Sequence, residues 1–381
     1  MSPTLPERAR AALPSMLDDL RGYVEIETPS DDRAALERGL SWLDALVAER
    51  LGPAASSSTV DGGELGDARL LEYDGSAAEP VLLLAHYDTV WPIGTLAGMP
   101  FAVDGDRITG PGVFDMKAGL VQALWALRIA REAGLALPPI RLLLTGDEEI
   151  GSPVSRPVIE KAAVGASAGL VFEAAGPGAA VKTARKGVGI FRVDVDGVEA
   201  HAGLDPTAGA SAVDELARVV LDLHAARDLE AGTSVNVGVV GGGTRTNVTA
   251  GHAWGEIDVR VSSTAEIARI EQVLDGLAAR HPDAAVRVSG EWNRPVMERT
   301  PRTAELYDLA RTAASGIGVE LAEVAVGGAS DANFLAPLGL GVLDGLGAVG
   351  AGAHARHEHA LVSGMVRQTA LTAAVLHALA G

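Results

Sequence analysis

The sequence predicts an α/β protein: a sheet covered by helices on both faces, interrupted by a smaller ferredoxin-like βαββαβ domain. Three observations lead there. Short continuous apolar runs at Val81–Leu84, Ile140–Leu144 and Gly169–Phe172 alternate with helical patterns. The texture changes near Gly187, where apolar and polar residues begin to alternate. The chain has 381 residues, too many for one comfortable core, so two domains are expected.

The apolar runs read as strands because a strand covered on both faces needs apolar side chains on both sides of its pleat. Strand, helix, strand, helix, strand is the order of a helix-covered sheet. The helix between the first two runs spans about Ala118 to Ala133. Ahead of them, Leu13, Met16, Leu17 and Leu20 recur at helical spacing. Ser30 is expected to cap a second helix through Leu36, Leu40, Leu43 and Leu46. The Gly/Ser/Ala-rich stretch from Pro53 to Gly66 reads as a loop.

Past Gly187, the alternation Ile190–Val195 reads as a half-exposed strand. A helix follows from about Ala210 to Ala226. Two strands come next, near Ser234–Val240 and Ala253–Val261, with Gly241-Gly242-Gly243 between them. A helix spans Thr264 to Arg280 and a last strand Ala285–Ser289. That order is the ferredoxin-like unit. The expected division is therefore 1–187 plus 297–381 for the larger domain and 188–296 for the inserted one. From about Arg302 the chain returns to helix and Gly-rich texture, ending in an apolar helix from Gly364 to Leu379.

Composition narrows the function. Hydrophobic residues make up 48% and charged residues 21%, which places the chain among globular, soluble proteins. There is no cysteine, so any metal must sit on His, Asp or Glu. A net charge of -19 argues against a nucleic-acid partner, which needs a basic footprint. No apolar run of transmembrane length and no signal-peptide pattern is visible, so the expectation is a cytoplasmic enzyme without a membrane partner.

The chemistry-bearing residues follow the buried strands, where ligands gather in an open α/β sheet. The first run ends in His86-Tyr87-Asp88. His86 and Asp88 share a face, so the imidazole can bind a metal while the carboxylate holds its other nitrogen, or the histidine is simply buried with a local hydrogen bond. Asp115 stands between a Gly/Pro turn and a helix, as a ligand or as a helix cap. Asp147-Glu148-Glu149 follow the second run; three adjacent carboxylates packed there are costly without cations, and the alternative is a solvated acidic loop. Glu173 ends the third run. His354, His357 and His359 lie close together near the C-terminus, as a surface tract or with one of them a ligand. Together His86, Asp115, Glu149, Glu173 and His354 suffice for two divalent metals with Asp115 between them, leaving Glu148 to move protons.

The segments HYDTV, GPGVFDMKAG, TGDEEIGS, FEAA and GAHARHE, in this order and spacing, resemble metallopeptidase family 20. That family includes glutamate carboxypeptidases of the carboxypeptidase G type, aminoacylases and dipeptidases. The similarity covers nearly the whole chain, and TGDEEIGSPVSR is most similar to the carboxypeptidase G branch. The resemblance implies a zinc-exopeptidase-like mixed sheet flanked by helices, with the inserted domain serving as lid and dimerisation domain. It implies two zinc ions per subunit, with cobalt or manganese as substitutes. His86 and Glu173 would hold one zinc, Glu149 and His354 the other, and Asp115 would bridge them. Asp88 would orient His86, and Glu148 would be the general base. The peptide bond after Asp115 would be cis.

In the inserted domain, Glu199-Ala200-His201-Ala202-Gly203 is similar to the family's lid motif. The resemblance implies that His201 reaches a partner subunit's active site in a homodimer; a strand-end histidine on a dimer surface is the alternative. Asn247 and Arg260 match lid positions that would bind the substrate carboxylate, a task suited to Arg. Arg294 either does likewise or is ordinary surface charge. Gly327–Asn333 resembles the family's substrate-contact loop. His357 and His359 flank Glu358, so His354 is chosen as the ligand from its position after Gly352-Ala353. The expected reaction is cleavage of a peptide or N-acyl amide bond next to a free-carboxylate amino acid, carboxypeptidase G-like. The alternatives are an aminoacylase or dipeptidase on the same scaffold, or a non-catalytic metal-binding relative.

Overall fold

The computed structural model describes residues 2–381. The chain divides into two compact units. The first holds the chain up to Ala184, Arg299–Val326 and Ser330–Gly381; the second holds Arg185–Glu298 with Gly327–Ala329.

The first unit is built on a mixed six-stranded sheet in the order Ser56–Val60, Ala68–Tyr73, Ile140–Thr145, Val81–His86, Ala168–Val171, Gly341–Leu343. The last four strands run parallel, and the first two join the edge by antiparallel pairing. Every residue of Val81–His86 is buried. Burying a Leu side chain contributes about 1.5–3 kcal/mol, so Leu82, Leu83 and Leu84 alone anchor this strand at the sheet's centre. The parallel register sets His86 beside Thr145 and Leu84 beside Val171. The carboxyl ends of three strands thus share one edge of the sheet.

Helices cover the sheet. Ala118–Glu132 is apolar almost all round and correspondingly buried. It packs against Leu5–Val24 and the C-terminal helix Val362–Ala378. No helix among the described residues is long and apolar enough to cross a membrane.

A second, small sheet matters more for the site. It orders Gly350–Ala351, His359–Leu361, Arg107–Thr109 and Ala102–Asp104 side by side. Its pairing His359 to Thr109 and Leu361 to Arg107 draws the loop 352–358 to the loop 110–115.

The second unit runs strand Gly187–Asp196, helix Ala212–Ala225, strands Ser234–Gly242 and His252–Val261, helix Thr264–Asp275 and strand Ala285–Arg294. All four strands are antiparallel, with Gly187–Asp196 and His252–Val261 in the centre. Phe191, Val193 and Val195 alternate inward and meet Leu216, Val219, Ile257 and Val259 in a separate core.

Several local expectations are corrected. The stretch Pro53–Gly66 is not all loop: Ser56–Val60 is an edge strand, invisible to apolar periodicity because all five side chains are exposed. Ser30 does not cap the second helix. Asp32 does, accepting from the Ala35 amide, and the helix spans Arg33–Leu51. The helix expected to reach Arg280 ends at Asp275 with Gly276 as its cap; Leu277 still packs against the core, so the apolar spacing runs past the end.

Candidate metal centre

His86 is the last residue of the central strand and is buried. Its Nδ1 faces two acceptors, the Asp88 main-chain oxygen at 3.0 Å and the Asp88 carboxylate at 3.3 Å. Nδ1 therefore carries the proton in the neutral ring, and the Nε2 lone pair points the other way. Nε2 lies 3.3 Å from Asp115 Oδ1 and 3.6 Å from Glu173 Oε1.

On the opposite side of Asp115, His354 Nε2 lies 3.3 Å from Asp115 Oδ2 and 3.1 Å from Glu149 Oε2. The two oxygens of Asp115 thus face two different imidazoles. His354 reaches this position from a loop in which it adopts φ +61°, a conformation uncommon outside glycine and concentrated at functional sites. Gly352, at φ +86°, makes the turn; a Cβ there would come within 2.9 Å of the His357 ring and 3.0 Å of the Glu358 backbone.

Asp115 sits in the irregular turn Val113–Lys117 with extended φ/ψ, and its peptide bond to Met116 is cis. It caps no helix: Ala118–Glu132 starts after Lys117 without a side-chain cap.

Asp88 does more than hold His86. Its Oδ1 accepts from the Glu148 amide at 3.2 Å, and its Oδ2 from the Glu149 amide at 3.1 Å and from Ser30 Oγ at 2.7 Å. The displaced helix cap, Ser30, is thus a support for the carboxylate at the centre. Behind the Glu148–Glu149 turn, Asp147 Oδ2 accepts from the Val154 and Ser155 amides. Asp331 accepts from Ser152 Oγ and from Thr145 Oγ1. Ser30 carries no motif signal, and Asp331 stands out in the sequence only as part of the Gly327–Asn333 segment; the fold brings both here.

The electrostatics ask for cations. Burial works against charge on His86, but its hydrogen bonds to the Asp115 and Asp88 carboxylates and the nearby Glu173 win and raise its pKa well above the ordinary imidazole value. Asp115 and Glu149 push His354 up to about 10. Burial pushes Glu149 up, and Asp115, despite burial, is held far below the usual carboxylate range by His354 and His86. The carboxylates around His86 and His354 thus draw both imidazoles toward the positive form.

The donors fit divalent metals. Single ligand atoms of His86, Asp115 and Glu149 lie within 4.8 Å of one another, as do those of His86, Glu148 and Glu173. Glu149 Oε1 is buried with no hydrogen-bond partner, which is costly for a carboxylate oxygen unless a cation meets it. Imidazole and carboxylate without sulfur is a donor set for zinc and its harder neighbours.

Residues 82–378 match the peptidase family M20/M25/M40. The chain belongs to that family. As an M20 metallopeptidase it is 29% identical over 372 residues to carboxypeptidase G2 of Pseudomonas sp. (strain RS-16), covering 95% of this chain and 89% of that protein. Its fold is similar to a tripeptidase from Staphylococcus aureus, with TM-score 0.80, 19% identity, and 97% and 98% of the two chains covered. It is also similar to a dinuclear metal binding peptidase of the M20 family from Bacillus subtilis, with TM-score 0.67, 18% identity, and 97% and 98% covered.

The remaining predicted site residues of this M20 chain all lie in its second unit. His201 is exposed, and its Nδ1 accepts from the Gly203 and Leu204 amides, both at 3.1 Å. That leaves Nε2 as the protonated, donating nitrogen of the neutral ring. Asn247 is exposed, and its main-chain oxygen accepts from the Ala202 amide. Arg260 grips the carboxylate of Asp258 with Nε and Nη2. Arg294 is only 3% exposed, which removes the surface-charge reading for it.

Proposed function

We propose that this chain is a two-zinc amidohydrolase that releases a free-carboxylate amino acid from a peptidyl or N-acyl group, in the manner of a carboxypeptidase G. The observation that carries this is the placing of Asp115: each of its oxygens faces a different imidazole, with Glu173 on the His86 side and Glu149 on the His354 side. One carboxylate between two imidazole–carboxylate pairs is the arrangement a pair of metals needs. His86 and Glu173 would hold one zinc, Glu149 and His354 the other, and Asp115 both; cobalt or manganese would serve as substitutes. Bound there, two divalent metals supply an acidified water and polarise the scissile carbonyl.

The protein's own groups do the rest. Glu148 takes the proton of the attacking water on its carboxylate and delivers it to the leaving nitrogen. Its main chain is fixed by Asp88, so the base and the His86 ring answer to one carboxylate. His201 donates from Nε2–H to the oxygen that becomes negative during attack, acting in the partner subunit of a homodimer. Arg294, with Asn247 and Arg260, binds the substrate carboxylate. Arg260 must share its guanidinium with Asp258 to do so.

The test is amino-acid release from a panel of N-acyl-amino acids and dipeptides, with added zinc and with a chelator. Chelator-sensitive release of one class of amino acid, glutamate foremost, is expected. Release confined to N-acyl-amino acids or to dipeptides would favour an aminoacylase or a dipeptidase. No release with two zincs bound would point to a non-catalytic relative.

A further inference from the structure

The turn that carries Asp115 has a problem of unpaired donors. At the start of a helical segment the first main-chain N–H groups have no partner within the helix. Gly112, which opens the turn Val113–Lys117, and Lys117, which precedes the helix Ala118–Glu132, both provide no side-chain cap. The missing acceptor comes from the other end of the chain. Glu358 is 1% exposed, and both its oxygens are spent on this turn. Oε1 accepts from the Phe114 amide at 2.9 Å and the Asp115 amide at 3.2 Å. Oε2 accepts from the Gly112 amide at 3.1 Å and from Trp91 Nε1 at 2.7 Å.

Glu358 is equally fixed to the loop of His354. Its own amide donates to Ala355 O at 2.8 Å, closing a turn directly after the one in which His354 stands, itself closed by the Ala355 amide on Gly352 O at 2.9 Å. The strand that follows, His359–Leu361, is pinned to Arg107–Thr109. One carboxylate therefore ties the backbone of Asp115 to the backbone that presents His354.

We infer that Glu358 is a positioning residue, which sets Asp115 Oδ2 against His354 Nε2 and so builds the metal position formed by Asp115, Glu149 and His354. The inference rests on the two-metal reading above. Glu358 touches neither metal nor substrate. It acts through four N–H bonds to a charged acceptor, which are about twice as strong as neutral ones. Its effect falls most on that metal position, because His86 and Glu173 are placed by the central sheet independently of the 352–358 loop and only the shared Asp115 carries it to the other.

Glu358→Gln tests it with little change of shape. The amide must turn its NH2 toward either the Phe114 and Asp115 amides or the Gly112 amide and Trp91 Nε1, so a donor meets donors. The full chain is stripped of metal and titrated with zinc against a competing chelator, alongside kcat, KM and the melting temperature. Outer partners of metal ligands are worth about 10–100-fold in metal affinity or activity. The expected result is one zinc weakened about 10–100-fold, the other by clearly less, and kcat lowered while KM moves little. Combining Trp91→Phe with Glu358→Gln removes one donor from the conflict and is expected to restore part of the lost affinity. A folded Glu358→Gln protein whose two zinc affinities both match wild type overturns the inference. If Glu358→Gln does not fold, Trp91→Phe alone is titrated: a several-fold weakening of one zinc supports the inference and unchanged binding overturns it. A wild type that binds two zincs but hydrolyses nothing sinks the proposed reaction and leaves this inference to be decided by the titration. A wild type that binds no zinc sinks both.

Discussion

Asp88 and Glu148 stand 60 residues apart in the chain, yet the Glu148 amide donates to Asp88 Oδ1 at 3.2 Å. The same carboxylate holds His86 Nδ1. A proposed ligand and the proposed proton carrier are thus positioned by one side chain, and the adjacent parallel strands 81–86 and 140–145 bring them together.

Asp88→Asn should damage both functions together. The amide would face its NH2 toward at least one of the Glu148, Glu149 or His86 N–H groups. A loss of about 10–100-fold in zinc affinity or kcat/KM is expected. Zinc titration and steady-state kinetics check it; wild-type values in both would remove Asp88 from the site. Ser30→Ala removes one hydrogen bond to that charged carboxylate and should cost about 1.5–3 kcal/mol of stability, read by urea unfolding.

Glu148→Ala should keep both metals and lose kcat by about 10²–10⁴-fold, the range for general acid–base catalysis. Atomic emission gives the metal content and amino-acid release the rate. Retained turnover would take Glu148 out of the mechanism, and loss of a metal would make it a ligand, an outcome its closeness to His86 and Glu173 makes worth measuring.

His354→Ala should lose one zinc equivalent while His357→Ala keeps two. His354 Nε2 faces Asp115 and Glu149, whereas the His357 main-chain oxygen takes up Arg107 at the protein surface. Equal stoichiometry in the two variants would contradict the assignment.

His201→Ala should lower kcat by about 10²–10³-fold, the worth of one oxyanion donor, with metal content unchanged. Mixing it with Glu148→Ala should restore activity if His201 acts across a dimer. In a mixed dimer one site would have its own Glu148 and the partner's His201. No recovery from a mixture that exchanges subunits would place His201 outside the reaction or within its own subunit's site.

The central strands were legible because burial on both faces leaves continuous apolar runs, as in Val81–His86 and Ile140–Thr145. The cluster of His86, Asp115, Glu149, Glu173 and His354 was legible because each residue follows such a strand or a glycine turn. Ser56–Val60 was not, since an edge strand with five exposed side chains needs no apolar pattern. Ser30 looked like a cap because serine caps helices, and nothing local reveals that its hydroxyl goes to Asp88. Glu358 is the clearest case. Three of its four partners are main-chain amides 243–246 residues away, which have no residue identity to read. Whether Arg294 is buried or exposed likewise depends on tertiary packing, which a single Asn-Arg-Pro sequence does not encode.

The most direct test of the central claim is a stepwise zinc titration of the metal-stripped chain, with bound equivalents and glutamate release from an N-acyl-glutamate measured on the same samples. Two equivalents should bind per chain, and release should rise with the filling of both and vanish with chelator. Full release from metal-stripped protein, or two bound equivalents with no release from any N-acyl-amino acid or dipeptide, would contradict the account.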